Sequence, residues 1–142
     1  MKTFKLLLFL AVVVPLLSCN AQTNNQAAAS NPGSDDKIEA YYFHLNSRCV
    51  TCKTIEAQAK ENLETLYPEQ VKEGIITFTS VNIEEESGRA IADKLGVSGQ
   101  TLLLVKGEQK INLTNEGFMY AVAKPEKFRE IMNEKIDELL VN

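Results

Sequence analysis

Apolar residues along the chain fall into runs that predict strands alternating with helices. Four runs are rich in β-branched, aromatic or leucine residues and predict strands at 38–45, 75–83, 101–106 and 110–113. Three other segments repeat apolar residues every three or four positions and predict helices at 49–66, at 88–95 and from Pro125 onwards. The predicted order of elements is therefore β-α-β-α-β-β-α.

This order predicts an α/β fold with a central mixed sheet of about four strands and helices on both faces. Strands joined by a helix are expected to be parallel neighbours, whereas the last two strands, joined at Gly107-Glu108, are expected to form an antiparallel hairpin. The strand at 75–83 is expected to be covered on both faces. Ser47 is the predicted N-cap of the first helix, and Pro68 is expected to end that helix.

Residues 1–18 have the pattern of a targeting segment. Lys2 and Lys5 precede an apolar stretch at 6–17 that is too short to span a bilayer comfortably. The stretch ends in Leu16-Leu17-Ser18-Cys19, which resembles a bacterial lipobox. That resemblance implies cleavage before Cys19, lipidation of its sulfur, and the two or three acyl chains that stable anchoring needs. The alternative is an ordinary secretory signal that leaves Cys19 in place.

Residues 20–36 are rich in Asn, Gln, Ala and Ser and lack apolar periodicity, so they are expected to form a disordered tether. The expected organisation is a lipoprotein signal peptide at 1–18, a lipidated Cys with its tether at 19–36, and one domain at 37–142. The expected location is the bacterial cell envelope. The lipid on Cys19 would hold the chain to a membrane, with the domain facing the periplasm.

The charges exclude one class of partner and make one kind of site unexpected. Lys and Arg number 15 and Asp and Glu number 19, for a formal net charge of −4, and no basic run occurs. Nucleic acid is therefore not an expected partner. The acidic run Glu84-Glu85-Glu86 comes just before a predicted helix, where negative charge is favourable, so it is expected to be a solvated face and not a metal site.

The candidate chemistry lies in Cys49 and Cys52, which follow the first strand and open the first helix. Two thiols three residues apart in a helical turn can form a disulfide, and the helix N-terminus favours a thiolate. Cys52 shares a helix face with Ile55 and Leu63, so it is expected to be buried. We expect Cys49 to be the exposed, attacking thiol, Cys52 to be the resolving thiol, and Arg48 to lower the pKa of Cys49.

Three segments give the chain a resemblance to thioredoxin over about 38–140. They are Cys49-Val50-Thr51-Cys52 between strand and helix, Val81-Asn82-Ile83 with the helix after it, and Gly99-Gln100-Thr101-Leu102-Leu103-Leu104-Val105. The resemblance implies a thioredoxin-like fold and implies that Gln100 and Thr101 face Cys49. Arg48 stands where the family has Trp, and Gln100-Thr101 stands where it has a cis-Pro.

The chain also resembles a small thioredoxin-like family, the ArsF-type lipoproteins described as nitrophenyl compound nitroreductase subunits. The lipoprotein signal carries this resemblance together with two segments, Tyr41-Tyr42-Phe43-His44 before Arg48-Cys49-Val50-Thr51-Cys52, and Leu113-Thr114-Asn115-Glu116-Gly117-Phe118. It implies a protein disulfide or dithiol partner outside the cytoplasmic membrane, or a permease resembling the electron-conducting cytochrome c biogenesis type. The setting it implies is arsenic or nitroaromatic resistance or envelope redox chemistry. No cofactor is expected beyond the redox-active disulfide.

The residues leave two other interpretations open beside a thiol–disulfide oxidoreductase. Reduced Cys49 and Cys52, with His44 as a third ligand, would suit Cu(I), Zn(II) or trivalent arsenic, which predicts a binding protein without turnover. A hydrolase would use His44 as the base for Cys49, although Cys52 one turn away favours disulfide chemistry. The apolar cluster 118–120 is expected either to line the rim of the thiol site or to cover the edge of the sheet.

Overall fold

The structure is a computed structural model that describes residues 36–141. Its elements in chain order are β1 (Ile38–His44), α1 (Val50–Leu66), α2 (Pro68–Lys72), β2 (Ile76–Asn82), α3 (Glu86–Leu95), β3 (Thr101–Lys106), β4 (Gln109–Asn112), α4 (Thr114–Tyr120) and α5 (Pro125–Val141). The predicted signal peptide, the lipidation of Cys19 and the tether lie outside the described residues. Between residues 36 and 141, no helix combines the length and the apolar composition needed to cross a bilayer.

The four strands form one mixed sheet in the order β2-β1-β3-β4. Strand β1 is parallel to β2 and antiparallel to β3, and β4 is antiparallel to β3. The predicted hairpin and the predicted parallel pair are confirmed. The expectation that every helix joins parallel neighbours is wrong for α3, which returns the chain to the far side of β1. Residues 102–105 of β3 are all buried, because β3 is a central strand between β1 and β4 and is covered on both faces.

Helices cover both faces of the sheet, as predicted, because successive side chains of a strand point to opposite sides. Ala40 and Tyr42 of β1 belong to the larger core, which α1, α4 and α5 complete. Tyr41 and Phe43 belong to the smaller core, in which Ala92 and Leu95 of α3 pack against β1 and β3. The strand order, the strand directions and the two covered faces make this the predicted thioredoxin-like α/β fold.

Three local predictions require correction. Helices α2 and α4 were not predicted, because each is one or two turns long and carries almost no buried side chain. Strand β2 is not covered on both faces: only Ile76 and Val81 are buried, since β2 lies at the edge of the sheet. The N-cap of α1 is Cys49 and not Ser47, whereas the predicted end of α1 before Pro68 is confirmed.

Candidate active site

The two cysteines lie at the junction between β1 and α1. Strand β1 ends at His44, and a short loop leads to Cys49, so the pair sits at the carboxyl end of a central strand. A disulfide joins Cys49 and Cys52, with their Cα atoms 5.1 Å apart. The predicted pairing is therefore confirmed, and it occupies the edge at which open α/β sheets place their chemistry.

The two sulfur atoms have different surroundings. Cys49 is exposed, and only 5% of the surface of Cys52 is accessible. The Sγ of Cys49 acts as the N-cap of α1 and accepts a hydrogen bond from the backbone N–H of Cys52 at 3.2 Å. Because this N–H and the helix N-terminus would both stabilise negative charge, the arrangement favours a thiolate at Cys49 once the disulfide is reduced.

Arg48 has a partner that the sequence did not indicate. Its guanidinium forms a hydrogen-bonded ion pair with the carboxylate of Glu56, and both side chains are half-buried. The carboxylate offsets much of the positive charge that Arg48 brings to the loop, so its effect on the pKa of Cys49 is expected to be smaller than the sequence implied. Glu56 follows Cys52 by one turn of α1, which brings its side chain back toward this end of the helix.

Gln100 lies just before β3 and contacts the buried cysteine. Its side-chain oxygen Oε1 is 3.3 Å from the Sγ of Cys52, and its Nε2 donates a hydrogen bond to the Tyr42 hydroxyl. The structure therefore brings Gln100 into the site, where its side-chain amide contacts the sulfur of Cys52. The hydroxyl of the neighbouring Thr101 donates to the carbonyl oxygen of Gly99 at 3.1 Å, so that side chain is used within the loop.

Tyr42 is a site residue that the sequence analysis missed. Its hydroxyl donates to the backbone carbonyl of Cys52 at 2.7 Å, and its ring is buried in the larger core. Burial raises the pKa of Tyr42, and the hydrogen bond from Gln100 lowers it; Glu56 adds to the rise and Arg48 opposes it. The sequence signal, an aromatic residue on a buried strand, was indistinguishable from that of an ordinary core residue.

His44 is not joined to the cysteine pair in a metal site. Its Nδ1 lies 3.0 Å from the carbonyl oxygen of Leu45, and its ring stacks on Tyr42 with a centroid separation of 6.4 Å. Within residues 36–141, no three or more His, Cys, Asp or Glu side chains are grouped so that they could hold a metal ion. The three-ligand alternative of Cys49, Cys52 and His44 is thus not assembled in this disulfide-bonded structure.

The loop ahead of Cys49 is fastened to the end of β2. The side-chain amide of Asn82 donates to Asn46 at 2.8 Å, and the backbone N–H of Asn46 donates to the carboxylate of Glu84. The acidic run is exposed, as predicted, and its first residue also supports this loop. Gly88 of α3 packs against the same strand end, since a Cβ there would lie 1.9 Å from the carbonyl oxygen of Asn82.

Helix α4 packs against α1 and β3, the elements that carry or adjoin the site residues. Gly117 packs against α1, where a Cβ would lie 2.9 Å from a side-chain methyl of Ile55. The hydroxyl of Thr114 accepts a hydrogen bond from the backbone N–H of Leu102, close to Gln100 in the chain. Phe118 is 44% exposed and Met119 54% exposed. These two side chains present apolar surface to solvent, whereas Tyr120, the third residue of the cluster 118–120, is half-buried and packs against the larger core.

Comparisons with known proteins assign no family. No protein-family model matches the chain, and no curated protein matches it. One of the solved structures that match is described as "Structure of a malarial protein". It shares 20% identity and a TM-score of 0.38 with this chain, over 52% of this chain and 74% of the other. A similarity of this size carries no conclusion about function.

Proposed function

We propose that the chain is a membrane-anchored, extracytoplasmic thiol–disulfide oxidoreductase that uses the Cys49–Cys52 pair. The observation that carries the proposal is the disulfide between an exposed cysteine that caps a helix and a buried cysteine in the same turn. Exchange needs one accessible sulfur that is readily deprotonated and a second sulfur within bonding reach. The first turn of α1 supplies both.

In the proposed reaction, the reduced pair gives two electrons to a partner disulfide. The Cys49 thiolate attacks one partner sulfur and forms a mixed disulfide, while the other partner sulfur leaves as a thiolate and takes up a proton. Cys52 then loses its proton and attacks the Sγ of Cys49. This step forms the Cys49–Cys52 disulfide and releases the second partner sulfur as a thiol. Two cysteines are oxidised and one partner disulfide is reduced, and the reverse sequence oxidises a partner dithiol.

The setting of this reaction is also a proposal, and it rests on the sequence. The lipobox-like segment ending at Cys19 supports a lipid anchor in the cell envelope, and the resemblance to ArsF-type lipoproteins supports a partner outside the cytoplasmic membrane. That partner is proposed to be a protein disulfide or dithiol, or a membrane electron conduit of the cytochrome c biogenesis type. Exposed apolar side chains near the pair, such as Val50 at 81% exposure, support contact with another protein.

The test uses full-length protein and follows reduction of insulin disulfides with dithiothreitol as the electron source. Cys49→Ser is expected to lower the rate of catalysed reduction by on the order of a thousandfold, because it removes the attacking sulfur. Serine also caps helices well, so the variant is expected to stay folded. Cys52→Ser is expected to accumulate a mixed disulfide between Cys49 and the partner, which non-reducing electrophoresis would detect.

Two outcomes would contradict the proposal. Insulin reduction that persists in Cys49→Ser would rule out Cys49 as the attacking group. Tight binding of Cu(I) or arsenite by the reduced wild-type pair, with no disulfide exchange under any redox buffer, would favour the alternative of a metal- or metalloid-binding protein without turnover.

A further inference from the structure

We propose that Gln100 is a positioning residue that holds reduced Cys52 as a neutral thiol, and that the Tyr42 hydroxyl fixes the orientation of Gln100. This inference rests on the proposed function of the Cys49–Cys52 pair and adds a residue that sets its redox balance. Gln100 acts through Cys52 and does not itself exchange a bond.

The orientation of the Gln100 amide follows from the single proton of Tyr42. The Tyr42 hydroxyl donates that proton to the backbone carbonyl of Cys52 at 2.7 Å, so toward Gln100 it can only accept. Gln100 must therefore present its N–H₂ group to Tyr42. The opposite end of the same amide, Oε1, is then directed at the Sγ of Cys52, 3.3 Å away.

An amide oxygen beside a cysteine sulfur favours the protonated state of that sulfur over the thiolate. A neutral Cys52 thiol can donate its S–H proton to Oε1, whereas a thiolate would face the negative end of the amide dipole. The burial of Cys52 also disfavours the charged form. Both effects raise the pKa of the Cys52 thiol in the reduced protein, while Cys49 is in the position that stabilises a thiolate.

The same contact favours the dithiol over the disulfide. In the disulfide, the Sγ of Cys52 carries no proton, so Oε1 has no donor in that sulfur. Reduction restores the proton and with it the S–H···O hydrogen bond, which therefore exists in the reduced state alone. Gln100 thus stabilises the reduced pair and makes the disulfide a better electron acceptor.

Within residues 36–141, the titratable or charged groups seen to act on this network lie on β1, at the start of α1 and in the loop between them. Cys49 lies on the turn before Cys52, and Tyr42 lies beneath it on β1. The Arg48–Glu56 ion pair acts on the Tyr42 hydroxyl, and the His44 ring stacks on Tyr42. The substitutions at Gln100 keep all of these residues in place, but they remove the N–H donor that Gln100 supplies to the Tyr42 hydroxyl.

The experiment measures the pKa of Cys52 in the full-length Cys49→Ser protein, where Cys52 titrates without its disulfide partner. The probe is the β-carbon NMR shift of Cys52 followed against pH. Gln100→Leu removes the acceptor and is expected to lower the pKa of Cys52 by about one unit, whereas Gln100→Glu is expected to raise it. Gln58→Leu, the same change on α1 at a side chain bonded to Ala121, is expected to leave it unchanged.

A second variant separates orientation from the mere presence of the amide. Tyr42→Phe keeps Gln100 but frees its amide to turn its N–H₂ group toward Cys52, so the pKa of Cys52 is again expected to fall. In a protein with both cysteines, Gln100→Leu is expected to shift the equilibrium with a glutathione buffer about three- to tenfold toward the disulfide. A space-filling role for Gln100 would move neither quantity.

The inference is overturned if Gln100→Leu and Gln100→Glu give the same pKa for Cys52 as the Gln58→Leu control. It is equally overturned if the glutathione equilibrium of Gln100→Leu equals that of the wild type. Failure of the proposed function would look different: the variants would still shift the pKa of Cys52, but the wild-type pair would not reduce any protein disulfide.

Discussion

Helix α1 has a buried tyrosine hydroxyl at each end, and the two hydroxyls have different partners. At the N-terminal end, Tyr42 contacts a neutral amide and a backbone carbonyl beside the cysteine pair. At the C-terminal end, the hydroxyl of Tyr67 lies 2.7 Å from a carboxylate oxygen of Asp137 and 2.8 Å from the side-chain oxygen of Asn133, both on α5. The first hydroxyl belongs to a candidate site, and the second joins two helices.

The partners explain what each end can do. A carboxylate next to Tyr67 forms a strong hydrogen bond with the neutral phenol; burial and this carboxylate together raise the pKa of Tyr67 well above its ordinary value. Next to Tyr42, the group facing Cys52 is an uncharged amide, whose oxygen can accept a hydrogen bond from the neutral thiol that reduction produces. We infer that the C-terminal end of α1 stabilises the fold, and that the N-terminal end is organised for chemistry.

The largest expected effect comes from disrupting the packing toward the C-terminal end of α1. Leu63 is fully buried in the larger core, so Leu63→Ala is expected to lower the free energy of unfolding by about 2–5 kcal/mol. Urea denaturation measures the loss, and Leu66→Ala on the half-buried face of α1 is the matched control, with a smaller cost. Loss of disulfide exchange in the fraction that remains folded would contradict the separation of the two ends.

A smaller loss of stability is expected from Tyr67→Phe, about 1–2 kcal/mol, because the substitution leaves the Asp137 and Asn133 oxygens without this donor. The folded pKa of Tyr67 is raised, so its stabilisation is present below pH 10 and is lost as the pH rises toward the folded value. Thermal unfolding of the wild type between pH 9 and 11 is expected to show this decline, and the variant a weaker one. Equal slopes in the two proteins would show that the Asp137 contact does not set the pH dependence.

The next largest effect is expected from removing a charge near the N-terminal end of α1, beside the cysteine pair. Glu56→Gln removes the carboxylate that offsets Arg48, so the pKa of reduced Cys49 is expected to fall by about half a unit. The pH dependence of iodoacetamide alkylation of Cys49 measures it. Glu64→Gln on the same helix, where the ion pair with Lys60 is exposed, is expected to change nothing at Cys49. A rise in the pKa after Glu56→Gln would contradict the assigned role of the ion pair.

The smallest effect is expected at the apolar surface of α4. Phe118→Ser is expected to raise KM for a protein disulfide about two- to fivefold and to leave exchange with a small-molecule disulfide unchanged, because only a large partner would reach α4. Val141→Ser, at an exposed apolar residue near the end of α5, serves as the control. Equal effects on protein and small-molecule disulfides would place the role of Phe118 in the fold and not in partner contact.

The parts of the fold that were predicted correctly are those with a strong apolar pattern. Strand β3 carries four buried residues in succession, and α1 repeats buried residues along one face, so both were found near their observed limits. Helix α4 gave no such signal: it has one buried residue, Gly117, and no side-chain cap at Leu113. The direction of β3 could not be predicted from local sequence patterns either, because it depends on the side of β1 to which the chain returns.

The site was predictable along the chain but not across the fold. The spacing of Cys49 and Cys52 and the helix register gave the disulfide and the relative exposure of its two residues. The contact between Gln100 and Cys52 joins residues 48 positions apart, and the amide is oriented by a third residue on another element. Only the packing of β1, α1 and the loop before β3 brings these groups together, so no local signal could show the direction of the amide.

Gly88 is a position far from the two sulfur atoms at which the sequence of this protein cannot vary freely. Any larger residue there would push α3 away from the carbonyl of Asn82, whose side chain fastens Asn46 ahead of the cysteines. A mutational scan read out by redox activity should therefore find position 88 intolerant even of alanine. That intolerance would resemble the signature of a catalytic group, although its origin would be purely steric.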